Sequence, residues 1–136
     1  RMKFEKMSDL RHFVLLRNDS SGTFLISRQD VQLVELKKEG VVIIVPKNSC
    51  VVSHNVTLCF IKLPFKEAIK QFPLPGKIKG GLEIMGRIKI ITPNEDAAET
   101  ITVEIDYTQY DVQNWETLVE SYISKQTNFN KLKVKL

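Results

Sequence analysis

The chain has 136 residues, 43% of them apolar and 26% charged, with a formal net charge of +4. That is one domain's worth of chain, able to bury a core without cross-links, and its mild basicity sets no strong expectation of nucleic-acid binding. The longest apolar run, at 41–45, is far too short to span a bilayer, and the opening RMKFEKMSDLRHF lacks the apolar centre of a signal peptide. The chain is therefore expected to be cytoplasmic, with Arg1 ahead of Met2 read as a vector residue. Cys50 and Cys59 show no paired spacing and are expected to be free thiols.

The dominant pattern along the chain is that of strands. HFVLLRN, TFLISRQDVQLVEL, GVVIIVP and NVTLCFIKL are rich in β-branched and aromatic residues. LEIMGRIKI alternates, with Ile84, Gly86, Ile88 and Ile90 on one side and Glu83, Met85, Arg87 and Lys89 on the other. TVEIDY alternates in the same way, since Val103, Ile105 and Tyr107 face opposite Thr102, Glu104 and Asp106. Turn chemistry separates these segments at Asp19 to Gly22, Lys37 to Gly40, Lys47 to Ser49 and Pro93 to Asp96. Six strands with short connections predict a closed or nearly closed antiparallel barrel, an arrangement that removes exposed edges.

Two helical patterns interrupt the strands. FKEAIKQF puts Phe65, Ala68, Ile69 and Phe72 on one face, with Pro64 before it and Pro73 to stop it. PLPGKIKGG then reads as a loop. The second helix follows the last strand, with Asp111 as its N-cap. Val112, Trp115, Leu118, Val119, Tyr122 and Ile123 form its apolar stripe, which is expected to pack on the barrel. From Ser124 the chain ends in a basic tail with four lysines and no acid.

Catalytic chemistry is hard to find. His12 and His54 are far apart, and neither has metal-ligand spacing with the cysteines. No phosphate loop, dinucleotide fingerprint or nucleophile elbow occurs. Glu67, Glu83, Glu104 and Asp106 read as solvated faces. The chain is expected not to be an enzyme and to use no cofactor or metal.

The order of the segments, the VELKKEGVVIIV hairpin and the closing IDYTQYDVQNWETLVESY together resemble the PilZ domain, a bacterial receptor module for cyclic di-GMP. The resemblance makes the whole of 1–136 a single domain, with its core at about 13–123 and the tail at 124–136. It implies a six-stranded barrel, a short inserted helix and a C-terminal helix packed on the barrel. In that family a strand ends in an aspartate- or asparagine-x-serine-x-x-glycine loop. Here Glu35, Lys37 and Gly40 occupy the acid, serine and glycine positions, and Gly40 is expected to supply a positive φ.

The family's ligand-binding members also carry an arginine-x-x-x-arginine segment before the first strand, whose flat cations grip phosphate and guanine. That spacing is missing here. Arg11 and Arg17 stand six positions apart, and Lys37 brings only donors where serine both donates and accepts. Arg28 is the one further arginine that could join Arg17 in a phosphate grip. The reading is a degenerate, non-catalytic member acting through protein contacts in motility or surface regulation. A second copy is among the partners considered. Lys66, Lys70, Lys77, Lys79 and Trp115 are its candidate partner surface. The alternatives are a retained cyclic di-GMP receptor using Arg11, Arg17, Arg28, Glu35, Lys37 and Gly40, and a barrel for single-stranded nucleic acid. The latter would use Arg87 and Lys89 beside Lys77 and Lys79, with Tyr107 and Tyr110 for stacking.

Overall fold

The computed structural model describes residues 2–3, 12–27, 29–62 and 81–122. The helix expected at 65–72, the loop that follows it and the basic tail lie outside the described residues. Within them the chain forms eight strands: β1 (Met2–Lys3), β2 (His12–Asn18), β3 (Phe24–Leu25), β4 (Gln32–Leu36), β5 (Gly40–Pro46), β6 (Asn55–Lys62), β7 (Gly81–Pro93) and β8 (Thr100–Gln109). They make one antiparallel sheet in the order β1-β4-β5-β8-β7-β6-β2-β3, curled into a half-barrel. The sheet is broadly barrel-like, as a closed or nearly closed barrel was expected to be, but the described strands number more than the six predicted. Helix α1 (112–122) follows β8.

The strand count departs from six for two local reasons. The segment TFLISRQDVQLVEL breaks at Ser27, whose hydroxyl accepts the Gln29 N–H at 3.3 Å and whose carbonyl accepts the Asp30 N–H at 2.9 Å. A serine that captures nearby backbone donors favours a turn over a ladder, so β3 and β4 separate there. The second addition is β1, which pairs Met2 with Leu36 and Lys3 with Glu35.

The concave face carries the core. Val14 and Leu16 of β2, Leu58 and Phe60 of β6, Ile84 and Ile88 of β7, and Val103 and Ile105 of β8 all point into it, with Val41 and Ile43 from β5. Alternation along β7 does not survive its whole length. Ile88 pairs with Ile105 but Ile90 pairs with Glu104, so Lys89 is an extra residue and reverses the phase. Ile90 is therefore exposed, contrary to the expected stripe, and Ile91 packs against the core instead.

On the other face of the β2–β6 ladder, the cross-strand pairs Phe13–Ile61 and Leu15–Cys59 are also buried. Burial on both faces explains why these two segments read as continuous apolar runs rather than alternating ones.

Helix α1 begins as its residues require. The Asp111 carboxylate accepts the Asn114 N–H at 3.0 Å, and the Trp115 N–H bonds to the Asp111 carbonyl at 3.0 Å. Trp115, Leu118 and Tyr122 enter the core, whereas Val112 is exposed. The Trp115 ring meets Phe60 at 5.2 Å and Tyr107 edge-on at 4.9 Å between centroids. No helix among the described residues is long and apolar enough to cross a membrane.

Candidate functional site

The hairpin between β4 and β5 is the stretch in which the resemblance places a nucleotide. Its turn is tight, with the Lys37 N–H bonded to the Gly40 carbonyl at 3.0 Å and Lys38 and Glu39 exposed at the tip. Three further contacts tie it down. The Trp115 indole N–H donates to the Lys37 carbonyl at 3.0 Å. The Tyr107 N–H donates to the Glu39 carbonyl at 2.9 Å. The Lys37 ammonium is paired with the Glu104 carboxylate on β8.

Glu35 is 7% exposed, so the residue at the acid position lies within the protein rather than at an open rim. Val34 is an extra residue in β4, which sets Glu35 opposite Val42 on the face away from the core. Gly40 is needed for a reason other than the one expected. Among the described glycines only Gly22 has a positive φ, at 79°. At Gly40 a Cβ would lie 2.4 Å from the Ile105 carbonyl oxygen, so glycine permits the close approach of β5 to β8.

Arg17 is placed well away along the sheet. Its strand, β2, is separated from β4 by β6, β7, β8 and β5 in the ladder order. Arg17 Nε donates to Asp19 Oδ1 at 2.6 Å and its Nη2 to Thr57 Oγ1 at 3.2 Å. Thr57 in turn donates to Asp19 Oδ2 at 2.6 Å. Arg11 and Arg28 lie outside the described residues, as do Lys66, Lys70, Lys77 and Lys79. Trp115, named as partner surface, is 1% exposed and belongs to the core. It packs as the tip of an apolar stripe covering the sheet, with its one polar atom bonded to the hairpin.

Of the alternative nucleic-acid set, Arg87 leans on Asn55 at 3.4 Å and Lys89 lies 3.8 Å from Asp106, both on the exposed face of β7. The proposed stacking residues are poorly available. Tyr107 and Tyr110 pack against each other at 5.1 Å, and both are partly buried against the core.

Sequence reasoning missed a buried polar knot at the other end of the sheet. Asn18 is fully buried, and its side chain links the turn after β2 to the loop between β5 and β6. The signal was the run Asn18 to Gly22, in which an asparagine side chain can fold back on the N–H groups that follow it. A shallow cleft of about 400 Å³ is lined by Leu82, Glu83, Met85, Gln109, Tyr110 and Asn114 among others. No cluster of three or more metal-ligating side chains occurs among the described residues.

Burial sets the titration of three groups. It pushes the Cys59 thiol up to about 12, with Glu83 adding to the shift. It raises Cys50 as well, partly offset by the Ser49 hydroxyl. Both are free and too protonated at neutral pH to act as nucleophiles. Burial, and then Tyr110, raises Tyr107 well above the ordinary phenol range.

No family model and no curated protein sequence matches the chain. Among solved structures it is similar to the Bacillus subtilis inhibitor of motility, MotI/DgrA, with a TM-score of 0.57 and 12% identity. The likeness is one of fold. It covers 88% of this chain and 49% of that one, so the chain spans about half the length of this neighbour.

Proposed function

We propose that the chain is a non-catalytic, PilZ-like regulatory module that acts through protein contacts in bacterial motility or surface regulation, and that its β4–β5 hairpin does not hold cyclic di-GMP. The observation that carries this reading is the commitment of Lys37. Its ammonium is paired with Glu104 and its carbonyl with Trp115, so the residue at the family's serine position serves the fold. Glu35 is buried, and Arg17 is engaged with Asp19 and Thr57. A planar guanidinium fork beside an exposed carboxylate at the acid position is what a guanine and its phosphates would need; the described hairpin has no arginine, and Glu35 at that position is buried. The role in motility is supported by the likeness in fold to an inhibitor of motility.

The test is calorimetric titration of the intact chain with cyclic di-GMP and, separately, with a short single-stranded oligonucleotide at two salt concentrations. The expected result is no dinucleotide binding tighter than roughly tens of micromolar, about −6 kcal/mol. The oligonucleotide should give no heat that falls steeply with salt. Lys37→Ser should not restore affinity. Nanomolar dinucleotide binding, or a complex with the ligand seated at Lys37, would overturn the reading. Deleting the gene in its source cell should alter swimming or surface behaviour, and a Lys37→Ser allele should complement the deletion.

A further inference from the structure

Strand β7 overhangs its partner β8, and the overhang is open on one side. Ile88 donates to the His54 carbonyl at 3.0 Å and accepts the Ser53 N–H at 2.8 Å, so its backbone groups face the β6 side. The β6–β7 register then runs without a shift from Asn55 opposite Arg87 to Ile61 opposite Gly81. Backbone direction alternates along an antiparallel strand. Leu82 and Ile84 therefore face β6 as well, while Gly81, Glu83 and Met85 face the β8 side. Met85 lies opposite Gln109, the last residue of β8. Beyond Gln109 the chain leaves the sheet for α1, and no strand among the described residues pairs with the N–H and C=O groups of Gly81 and Glu83. The cleft of about 400 Å³ lies at this place, with Gln109, Tyr110, Asp111 and Asn114 also lining it.

We infer that residues 81–84 are a docking edge for an extended, basic segment of a protein partner, which joins the sheet as a strand in line with β8. The side chains of the edge alternate. Leu82 packs against the core, as Tyr110 does, and Ile84 is buried on the same face. Glu83 and Met85 are exposed on the other face. An added strand has the same period of two, so it sets apolar side chains beside Leu82 and Ile84 and a cation beside Glu83. Backbone pairing of this kind supplies affinity, and the alternate side chains supply preference.

Charge decides the kind of segment. Glu83 makes no ion pair among the described residues, and Asp111 is a second carboxylate at the cleft. A lysine or arginine on the added strand meets both, and an acidic segment is repelled. The same charge disfavours a second copy as occupant. Two identical edges laid together would bring one Glu83 against the other, and like charges across a strand pair are unfavourable. The inference rests on the reading of the chain as a module that acts through protein contacts, and it names the surface used.

The experiment is assigned nuclear magnetic resonance of the full chain, titrated with the end-capped peptide SKVKVKS and, in parallel, with SEVEVES. In the free chain the Leu82 and Ile84 amides should be protected from exchange and those of Gly81 and Glu83 should not. SKVKVKS should shift the Gly81, Glu83 and Tyr110 signals and protect the first two amides. SEVEVES should bind about fivefold more weakly, and Glu83→Lys should reverse that preference. Glu83→Pro removes an N–H that faces the cleft rather than β6, a position at which a strand tolerates proline. It should keep Leu82 and Ile84 protected and lose the peptide. Protection of Gly81 and Glu83 in the free chain would mean that the edge is already filled, by this chain or a second copy, and would overturn the inference. So would equal binding of the two peptides, shifts confined to another part of the sheet, or no shifts with SKVKVKS at millimolar concentration. A chain that binds cyclic di-GMP tightly and still takes SKVKVKS at this edge would lose the proposed function and keep the docking edge.

Discussion

The indole N–H of Trp115 reaches across to the carbonyl oxygen of Lys37, 3.0 Å away, and so fastens the C-terminal helix to the turn of the β4–β5 hairpin. Trp115 fills the core against Phe60 and Tyr107 while using its only polar atom to satisfy a loop carbonyl. Trp115→Ala should cost about 3–5 kcal/mol as a core truncation. Trp115→Phe keeps much of the volume but leaves the Lys37 carbonyl without this donor, and should cost about 1–3 kcal/mol. Urea denaturation monitored by circular dichroism checks both. A Trp115→Ala protein that melts as the unaltered chain does would show that the contact contributes little.

The two informative glycines should respond to alanine for different reasons. Gly40→Ala drives a methyl group into the Ile105 carbonyl, and overpacking of this kind typically costs about 1–3 kcal/mol. Gly22→Ala meets open space but must hold a positive φ, a penalty of roughly 1–2 kcal/mol. Gly22→Asn should recover most of that loss, since asparagine tolerates the left-handed region, while Gly40→Asn should be worse than Gly40→Ala. Thermal melts of the four variants decide it.

Tyr107 has its hydroxyl oxygen shut away from solvent with no hydrogen-bond partner among the described residues. A phenol in that position pays for its dehydration without recompense, so Tyr107→Phe should stabilise the protein by about 1 kcal/mol. The ring, which carries the contacts with Tyr110 and Trp115, is kept. A destabilised Tyr107→Phe variant would mean the hydroxyl is satisfied.

The buried thiol of Cys59 predicts alkaline weakening. Its folded value of about 12 lies above the ordinary 9.0, so the unfolded chain releases its proton first as pH rises. The contribution is complete below about pH 9 and is lost progressively up to about pH 12. Cys59→Val removes the titrating group and should flatten that part of the stability curve. Tyr107 contributes in the same direction from its ordinary value upwards, so Cys59→Val combined with Tyr107→Phe should flatten it further. Denaturation midpoints from neutral to strongly alkaline pH provide the comparison.

Much of the sheet was legible because its chemistry is local. Asp111 announces an N-cap and acts as one, and Val103 and Ile105 alternate with Thr102 and Glu104 through the whole pairing with β5. What escaped depends on register and on contacts distant in sequence. Ile90 cannot be seen to face outward without the bulge at Lys89, which exists only because β7 pairs with β8. Gly40 looks like any turn glycine until the Ile105 carbonyl is set beside it. In sequence, the hairpin residues Glu35 and Lys37 stand at the acid and serine positions of the loop they resemble. Only Glu104 and Trp115, far along the chain, reveal that Lys37 is already occupied.

The ladder between β5 and β8 has a kinetic side. Hairpin β4–β5 and the β6–β7–β8 meander can each form from neighbouring segments, but their union pairs Gly40 to Pro46 with Thr100 to Asp106. Closing so long a stretch of chain costs entropy before any contact repays it, which makes this ladder the slow step of assembly. Val41→Ala or Ile105→Val should therefore slow refolding more than it hastens unfolding, while truncation of Phe24 at the sheet's edge should leave the refolding rate alone. Stopped-flow chevrons that place the whole effect of Val41→Ala on the unfolding limb would move the nucleus elsewhere. A ribosome releasing this chain would then hold an unjoined hairpin until β8 emerges, so the synthesis of β8 decides when the described sheet becomes a single cooperative body.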